Sequence, residues 1–584
     1  MSLFASLNIG QSALTASQIA IQVTGNNLAN SQTPGYSRQI AQLAAGVSQN
    51  FGPYSLGQGV SVQGVTRQVD TALNARVNSA VSDQSAATSD QSLLSSIEST
   101  IGGLGNNDLT SQFTQFFSAW SSLANSPSAP GAAALVVQQG QTLASAIQNL
   151  RSNLSQITTQ VDAQLSPAVS QANSLFSQIA SLNQQIVTSQ AGGSSQNNAL
   201  QDSRDQLVSQ LSQLMDVTVV PQPSGAVNVL VGSTPVVLGT TSRGVQLQSV
   251  SNGSSTTVTV NTADNGTQLA ISSGQIGSLL KNRSGVATQT VAALDTVASQ
   301  LIYQVNKLHS QGTSSTPITS VTGTLQMPAS DTTKALDDPS NTTLANLPFK
   351  PVNGSFQVTV TNTQTGATQT QLIQVNLTGI QNNGTPGTAD DTSVSSLAGS
   401  LNGVPNVTAT VQPDGTLKIN AGSGYSVSFS QDTSGVLAVL GINNYFTGTN
   451  ASNIGVSTAL QNNSSLLSAG GVVNGQASAN ATALAIAGLQ TASNPSLGNQ
   501  SIAQSWTNTE ASVGTQSAAA TAAATAAGTV TQALQTQQQA VSGVNTDEES
   551  INLLAFQRQY QGAAQFISTV DQMTQALLAI TTVV

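Results

Sequence analysis

The chain has no cysteine and a single histidine, and only 6% of its 584 residues are charged. Each scarcity closes off a class of function. Without cysteine there is no disulfide staple and no thiolate metal site. A Ser-His-Asp site would have to use His309, and no Gly-x-Ser-x-Gly elbow accompanies it. His309 instead reads as a contact to the dipole at a helix C-terminus. Neither a phosphate-cradling Gly-x4-Gly-Lys-Ser/Thr loop nor a His-Glu-x-x-His pair is present. The adjacent acids Asp337-Asp338 and Asp390-Asp391 stand in Gly/Pro/Thr-rich stretches and read as solvated loop acids. The sequence therefore predicts no enzyme, no cofactor and no metal site.

Cations are scarcer than acids, 13 against 23, and none occurs between Lys418 and Arg558. With no basic run, neither a nucleic-acid groove nor an anionic-membrane surface is expected. No apolar run is long enough to cross a bilayer, so no membrane insertion is expected. The first residues lack the basic, apolar pattern of a cleaved secretory signal. A neutral, polar composition suits a secreted or polymerising protein, whose interfaces avoid desolvating charge. Together these features point to a dedicated export route.

What is present is helix pattern at both ends. Leu7, Leu14, Ile21 and Leu28 recur every seventh residue along Leu3 to Leu28, and such a seam wants a partner helix. Arg38 is the only charged residue among the first 66. The partner lies at the other end of the chain. Leu553, Tyr560, Ile567 and Thr574 share one heptad column, and Phe556, Ala563, Val570, Leu577 and Val584 share another. Thr546-Asp547-Glu548-Glu549 reads as a capping box with acids at the positive end of the dipole. The two ends are predicted to pair.

Between them the period changes several times. Gln39 to Gly64 is strand-like and punctuated by Gly46, Gly52, Pro53, Gly57 and Gly59. Helix resumes at Gln68, with Leu94, Ile97, Ile101 and Leu104 on one face. Phe113, Phe116, Phe117 and Trp120 read as helix core. A long run from Leu143 to Val161 follows, which Pro167 should end or kink. A loop at Ala191 to Ser195 precedes a helix carrying Leu200 to Leu214, on whose surface Asp202, Arg204 and Asp205 read as local ion pairs. Val217–Val220 and Val227–Val231 read as a hairpin. Thr313 to Leu347 reads as a linker. Alternation at Phe356, Val358, Val360, Ile373, Val375, Leu417, Ile419, Val427 and Phe429 marks a β-rich module, with one short helix over Val394 to Leu401. Helix returns from Ala477.

The fold class expected is multidomain α+β, with a terminal α-helical coiled coil, a helical-bundle domain and inserted mostly β outer domains. The expected domains are 1–45 with 543–584 (terminal coiled coil), 46–215 with 275–312 and 475–542 (helical bundle), 216–274 (small β) and 317–470 (inserted, β-rich).

Two motifs resemble a known family. Asn26-Asn27-Leu28-Ala29-Asn30 with Thr33-Pro34-Gly35-Tyr36-Ser37-Arg38 is similar to the N-terminal signature of flagellar rod, hook and hook-associated proteins. Ser542 to Glu549, with Asn552-Leu553 and Phe556-Gln557-Arg558-Gln559-Tyr560, resembles the C-terminus of the hook–filament junction members. Gly59-Val60 to Arg67 and Gln201 to Leu207 also resemble them. The resemblance covers roughly 1–310 and 475–584 and leaves 317–470 aside.

It implies a structural protein at the hook–filament junction of the bacterial flagellum. Its implied partners are copies of itself in a ring, the hook protein, the second hook-associated junction protein, an export chaperone and the flagellar type III export apparatus. The assembly residues expected are Leu7, Leu14, Ile21, Asn26, Asn27, Leu28, Asn30, Pro34, Gly35, Tyr36, Arg38, Leu553, Phe556, Arg558, Tyr560, Ile567, Val570 and Leu577. The alternatives are a secreted surface adhesin, with 317–470 as its binding part, and another axial protein of hook or rod type.

Overall fold

The computed structural model describes residues 3–51, 54–102, 108–129, 131–191, 198–251, 256–381, 384–473 and 476–581. Gly52, Pro53, Leu104, loop positions 192–195 and Val584 lie outside the described residues. The longer helices are α1 (Leu3–Ala29), α2 (Thr71–Ile101), α3 (Leu109–Asn125), α4 (Ala132–Ala191), α5 (Asn198–Leu214), α6 (Gly274–Arg283), α7 (Val286–His309), α8 (Val394–Asn402), α9 (Ala481–Gly488), α10 (Ile502–Ser542) and α11 (Thr546–Thr581). The chain divides into two compact units. One comprises Met1–Ser92, Gln160–Arg283 and Ala518–Val584; the other comprises Leu93–Thr159 and Ser284–Ser517.

In the first unit α1 packs along α11. A Cβ on Gly10 would lie 2.6 Å from Ile567 Cγ1, and Asn27 bonds Glu549. One contact runs up α1 while the other runs down α11, so the two helices are antiparallel. The residues α1 buries are Gly10, Ala16, Ser17, Ala20, Thr24 and Asn27. They recur at helical three- and four-residue steps, and their small size lets the helices approach closely. An antiparallel strand pair, Gln39–Ala45 with Val60–Arg67, lies against α1 and carries a bulge at Gln42/Leu43. Leu73, Val77 and Val81 of α2 form a core with Leu534 and Val541 of α10.

The predicted hairpin is present within a four-stranded meander, Thr218–Pro221, Val227–Val231, Thr234–Leu238 and Thr241–Ser242. Buried Asn183 of α4 pins this sheet: its Nδ2 donates to Val227 O (2.8 Å) and Gly239 O (2.6 Å), and its Oδ1 accepts from Val227 N (3.1 Å). Pro167 does not end α4, which continues through it to Ala191. Leu165, Ala168, Val169 and Ala172 are all buried around it, and that packing offsets the hydrogen bond a helical proline forfeits.

In the second unit Phe113, Phe116, Phe117 and Trp120 of α3 are fully buried, as their spacing predicts. Tyr445 and Phe446 complete the aromatic cluster; Phe116 sits 5.8 and 5.5 Å from their ring centres. The β-rich module holds two three-stranded sheets. One orders Thr368–Val375, Gly354–Asn362 and Tyr425–Ser430; the other orders Ser320–Thr322, Leu417–Ala421 and Val407–Val411.

Three expectations in this unit are corrected. His309 does close α7, as its place in the sequence predicts, but it is fully buried and packed rather than a charged partner of the helix dipole. Its Nδ1–H donates to Asn443 O (2.8 Å) and its Nε2 accepts from Ser468 N (3.0 Å), while burial holds its pKa down to about 4. The segment 313–347 is not a linker. Asp331, 2% exposed, accepts from Lys334 Nζ, Thr342 Oγ1 and both the N and Oγ1 of Thr343, and Leu336 and Leu344 are buried. Hydroxyl and amide pins order this stretch, and apolar periodicity carries no sign of them. The loop acids are not all solvated either: Asp391 is buried and accepts from Gly379 N at 3.0 Å. Burial, followed by the neighbouring Asp391, raises the pKa of Asp337.

Candidate functional site

The motif residues meet at one polar lock beneath the paired terminal helices. After α1 the chain turns at once. Asn30 N–H donates to Asn26 O (3.0 Å), Asn30 Nδ2 donates to Asn26 Oδ1 (2.8 Å), and Ser31 Oγ donates to Leu28 O (3.0 Å). These short side chains satisfy the orphan groups of a helix end without charge. Gly35 then takes φ +79°, a left-handed backbone that glycine adopts without strain. The turn brings Tyr36, Ser37 and Arg38 back under α1.

Asn27, 1% exposed, is the hub. Its Nδ2 donates to Gln39 O (2.8 Å) and Glu549 Oε2 (3.0 Å). Its Oδ1 accepts from Tyr36 OH (2.9 Å) and Gln39 N (3.0 Å). Every hydrogen-bonding site of the amide is therefore used. Glu549, 2% exposed, also accepts from Arg38 Nε and Nη2, each at 2.8 Å, and Arg38 Nη1 reaches Glu548 at 3.2 Å. Burial, with Asp202 and Glu549 adding negative charge nearby, pushes the Tyr36 phenol up to about 12.

The lock continues into α5. Ser37 N–H donates to Asp202 Oδ2 (3.3 Å), and Arg67 Nη1 bridges Asp202 (2.7 Å) and Asp205 (2.9 Å). Burial works against the Arg67 charge, but the two carboxylates outweigh it and raise its pKa. Arg204 is buried and donates to Gly225 O at 2.9 Å. Burial lowers its pKa, which Asp205 partly opposes. The expected local pair is present in part, with Arg204 Nε 3.7 Å from Asp205, but the cation that both acids of α5 share is Arg67, on a strand far away in sequence. A cavity of roughly 570 Å³ lies under the turn, lined by Pro34, Gly35, Arg67, Asp202 and Asp205 among others.

The expected capping box is also replaced. Asn545 caps α11, its Oδ1 accepting from Asp547 N (3.0 Å), and Thr546 is the first helical residue. Glu549 turns to Arg38 instead. The half-buried Arg38 guanidinium offers the carboxylate a charge-assisted bond, which is stronger than a backbone amide can supply.

The seam residues sit as follows. On α1, Leu7, Leu14 and Ile21 are half-buried and Leu28 is 37% exposed. On α11, Leu553, Phe556 and Ile567 are half-buried and Val570 is buried, on the face that meets α1. Tyr560, Leu577 and Arg558 are exposed, and so are Asn26, Pro34 and Gly35. An apolar groove of roughly 540 Å³ runs beside the helix pair, lined by Ile9, Gly10, Ala13, Val60, Phe556 and Phe566 among others.

Sequence reasoning missed the small-residue stripe of α1, the buried role of Glu549, the Arg67 bridge and the Asn545 cap. The stripe had a signal, since Gly10, Ala13, Ser17, Ala20, Thr24 and Asn27 keep the helical step. Chemically the arrangement fixes two chain ends and a bundle helix in one geometry. Among the described residues no group of three acids or histidines could hold a metal.

Comparison with known proteins follows this geography. Residues 94–320 match the family described as the flagellar hook-associated protein FlgK helical domain. Residues 7–36 match the flagella basal body rod protein family, and 536–580 match the flagellar basal body rod FlgEFG protein C-terminal family. The chain is 27% identical to flagellar hook-associated protein 1 of Escherichia coli, over 98% of its own length and 99% of that protein. It is 31% identical to the Bacillus subtilis protein of that name, over 38% of this chain and 45% of that one. Among solved structures, the flagellar hook junction protein FlgK from Burkholderia pseudomallei is similar with a TM-score of 0.49 and 19% identity, over 80% of this chain and all of that one.

Proposed function

We infer that the chain belongs to the flagellar hook-associated protein 1 family and is a structural, axial protein of the bacterial flagellum that joins hook to filament. One observation carries the reading. The two ends that match rod-type families are also the two ends locked together through Asn27, Arg38 and Glu549. The adhesin alternative draws no support from these relatives.

The finer account starts from that lock. Residues 1–45 with 543–584 act as a terminal coiled-coil domain, set on a helical bundle of 46–215, 275–312 and 475–542. Residues 216–274 and 317–470 are the outer β domains. The column Leu7, Leu14, Ile21 and Leu28, which the subunit leaves partly exposed, is covered by neighbouring copies in a ring. Tyr560 and Leu577 are covered in the same way. The burial of apolar surface drives that step, and low charge along the helices spares it desolvation. The ring meets the hook protein on one side and the second hook-associated junction protein on the other. The chain reaches this place by secretion, through the flagellar type III apparatus and with an export chaperone.

Deletion of Asp547 to Val584 tests the reading. The expected product is a chain whose bundle keeps its helical circular dichroism and cooperative melt but does not attach to hooks. A truncated chain that still supports filament growth would show that the terminal pair is not the joining element.

A further inference from the structure

The β-rich module brings two acids face to face. Leu336 N–H donates to Thr392 O (2.9 Å), and Ala335 bridges Ser393 antiparallel. That register sets Asp337 beside Asp391, and their carboxyls lie within hydrogen-bond reach of each other. Asp391 is only 6% exposed. Its Oδ2 accepts from Gly379 N–H (3.0 Å), but its buried Oδ1 meets no donor among the described residues. The carboxylate faces another acceptor instead.

The charges around the pair do not relieve it. Among the described residues no lysine or arginine lies within salt-bridge distance of Asp337 or Asp391. Lys334, on the same stretch as Asp337, is held by Asp331 (2.9 Å) and Ser340 O (2.6 Å). Asp338 adds negative charge nearby, while its own carboxylate turns to Ser340 N–H (2.8 Å). Two facing carboxylates with one stranded oxygen are costly unless a positive charge lies between them. A shared proton supplies that charge in acid. Near neutral pH a divalent cation does so more fully, because it answers both carboxylates at once.

We propose that Asp337 and Asp391 hold a calcium ion, which ties the segment 313–347 to the loop leading into α8. The ligands on offer are oxygens, and these suit a hard cation. The two carboxylates supply part of the roughly six to eight oxygens that calcium takes; main-chain carbonyls and water complete the shell. Asp337 is open to solvent and gives the ion its entry, while Asp391 forms the buried floor. Magnesium demands a tighter octahedron and gives up water reluctantly, so the loop pair favours calcium. With two charged ligands the site belongs to the weak, extracellular class, with a Kd of about 0.1–1 mM.

Both tryptophans, Trp120 and Trp506, are buried in the second unit, so their fluorescence follows its unfolding. The test is urea unfolding of the full chain, freed of metal by a chelator and dialysed, with calcium or magnesium chloride at about 10 mM. Calcium is expected to lower the unfolding equilibrium constant about 10- to 100-fold. Asp391→Asn is expected to abolish that response while the chain still folds. Its amide oxygen can accept from Gly379 N–H, and its Nδ2 can donate to Asp337 in place of the ion. Asp337→Asn should abolish the response as well. A parent that ignores calcium overturns the proposal, and so does one that answers magnesium equally or a pair of variants that respond like the parent. A parent indifferent to calcium but stabilised by acid would show a shared proton instead, which also overturns it. None of these results touches the junction reading, which attachment to hooks tests separately.

Discussion

The Arg38 guanidinium meets the buried Glu549 carboxylate at 2.8 Å, across 511 positions of sequence. The first charged side chain in the sequence thus finds its counter-ion in the first turn of the last helix. Removing one partner of a buried ion pair leaves the other uncompensated, at a cost of about 3–5 kcal/mol. Arg38→Ala should therefore destabilise the first unit by about that much. Arg38→Met with Glu549→Met together should cost clearly less. Urea melts of the two variants check this, and equal losses would mean that the carboxylate is not stranded.

Gly10 and Ile567 set how closely α1 and α11 approach. Alanine at position 10 favours helix by about 1 kcal/mol over glycine. Its Cβ would nevertheless lie 2.6 Å from Ile567 Cγ1 and 3.1 Å from Phe566 Cδ1. Overpacking of this kind costs about 1–3 kcal/mol, so Gly10→Ala should come out destabilising. Ile567→Ala added to it should recover part of the loss. Hydrogen exchange along α1 reads both changes.

Arg67 joins the strand before α2 to α5 through Asp202 and Asp205. Asp202→Ala should cost about 2–4 kcal/mol, since Ser37 N–H loses its acceptor and Arg67 keeps only one of its two carboxylates, Asp205. The loss should shrink in an Arg67→Met background. A double-mutant cycle with no coupling would show that the bridge is a surface contact.

His309 gives the second unit a pH dependence. An unfolded histidine takes up its proton near 6.5, whereas burial holds this one down to about 4. Between those values the unfolded chain binds the extra proton, so stability falls as the pH drops from 6.5 towards 4 and levels off below. The loss is on the order of 3 kcal/mol. His309→Gln can keep both hydrogen bonds without titrating. The difference in denaturation free energy between parent and variant should change over this window and stay flat above pH 7.

Much of the frame was legible in the sequence. Heptad spacing marked both terminal helices, and alternation marked the strands at Phe356–Val360 and Leu417–Ile419. The lock was not legible, because Asn27, Arg38, Arg67, Asp202 and Glu549 are far apart in sequence and only the fold brings them together. The scarcity of charge was the available clue: a lone Arg38 in 66 residues needs a partner. The buried stripe of α1 escaped because Gly10, Ala16, Ser17 and Ala20 carry little hydropathy, although they are what permits close packing. Thr313 to Leu347 looked like a linker because its order rests on Asp331 and two threonines. Pro167 misled because local propensity yields to packing in a long helix.

The central claim is that this chain joins hook to filament, and the most direct measurement is where it sits on the flagellum. Antibody against residues 317–470, imaged by electron microscopy on intact flagella, should mark a single band at the hook–filament joint. Label spread along the filament, or over the cell surface with the joint bare, would contradict the account.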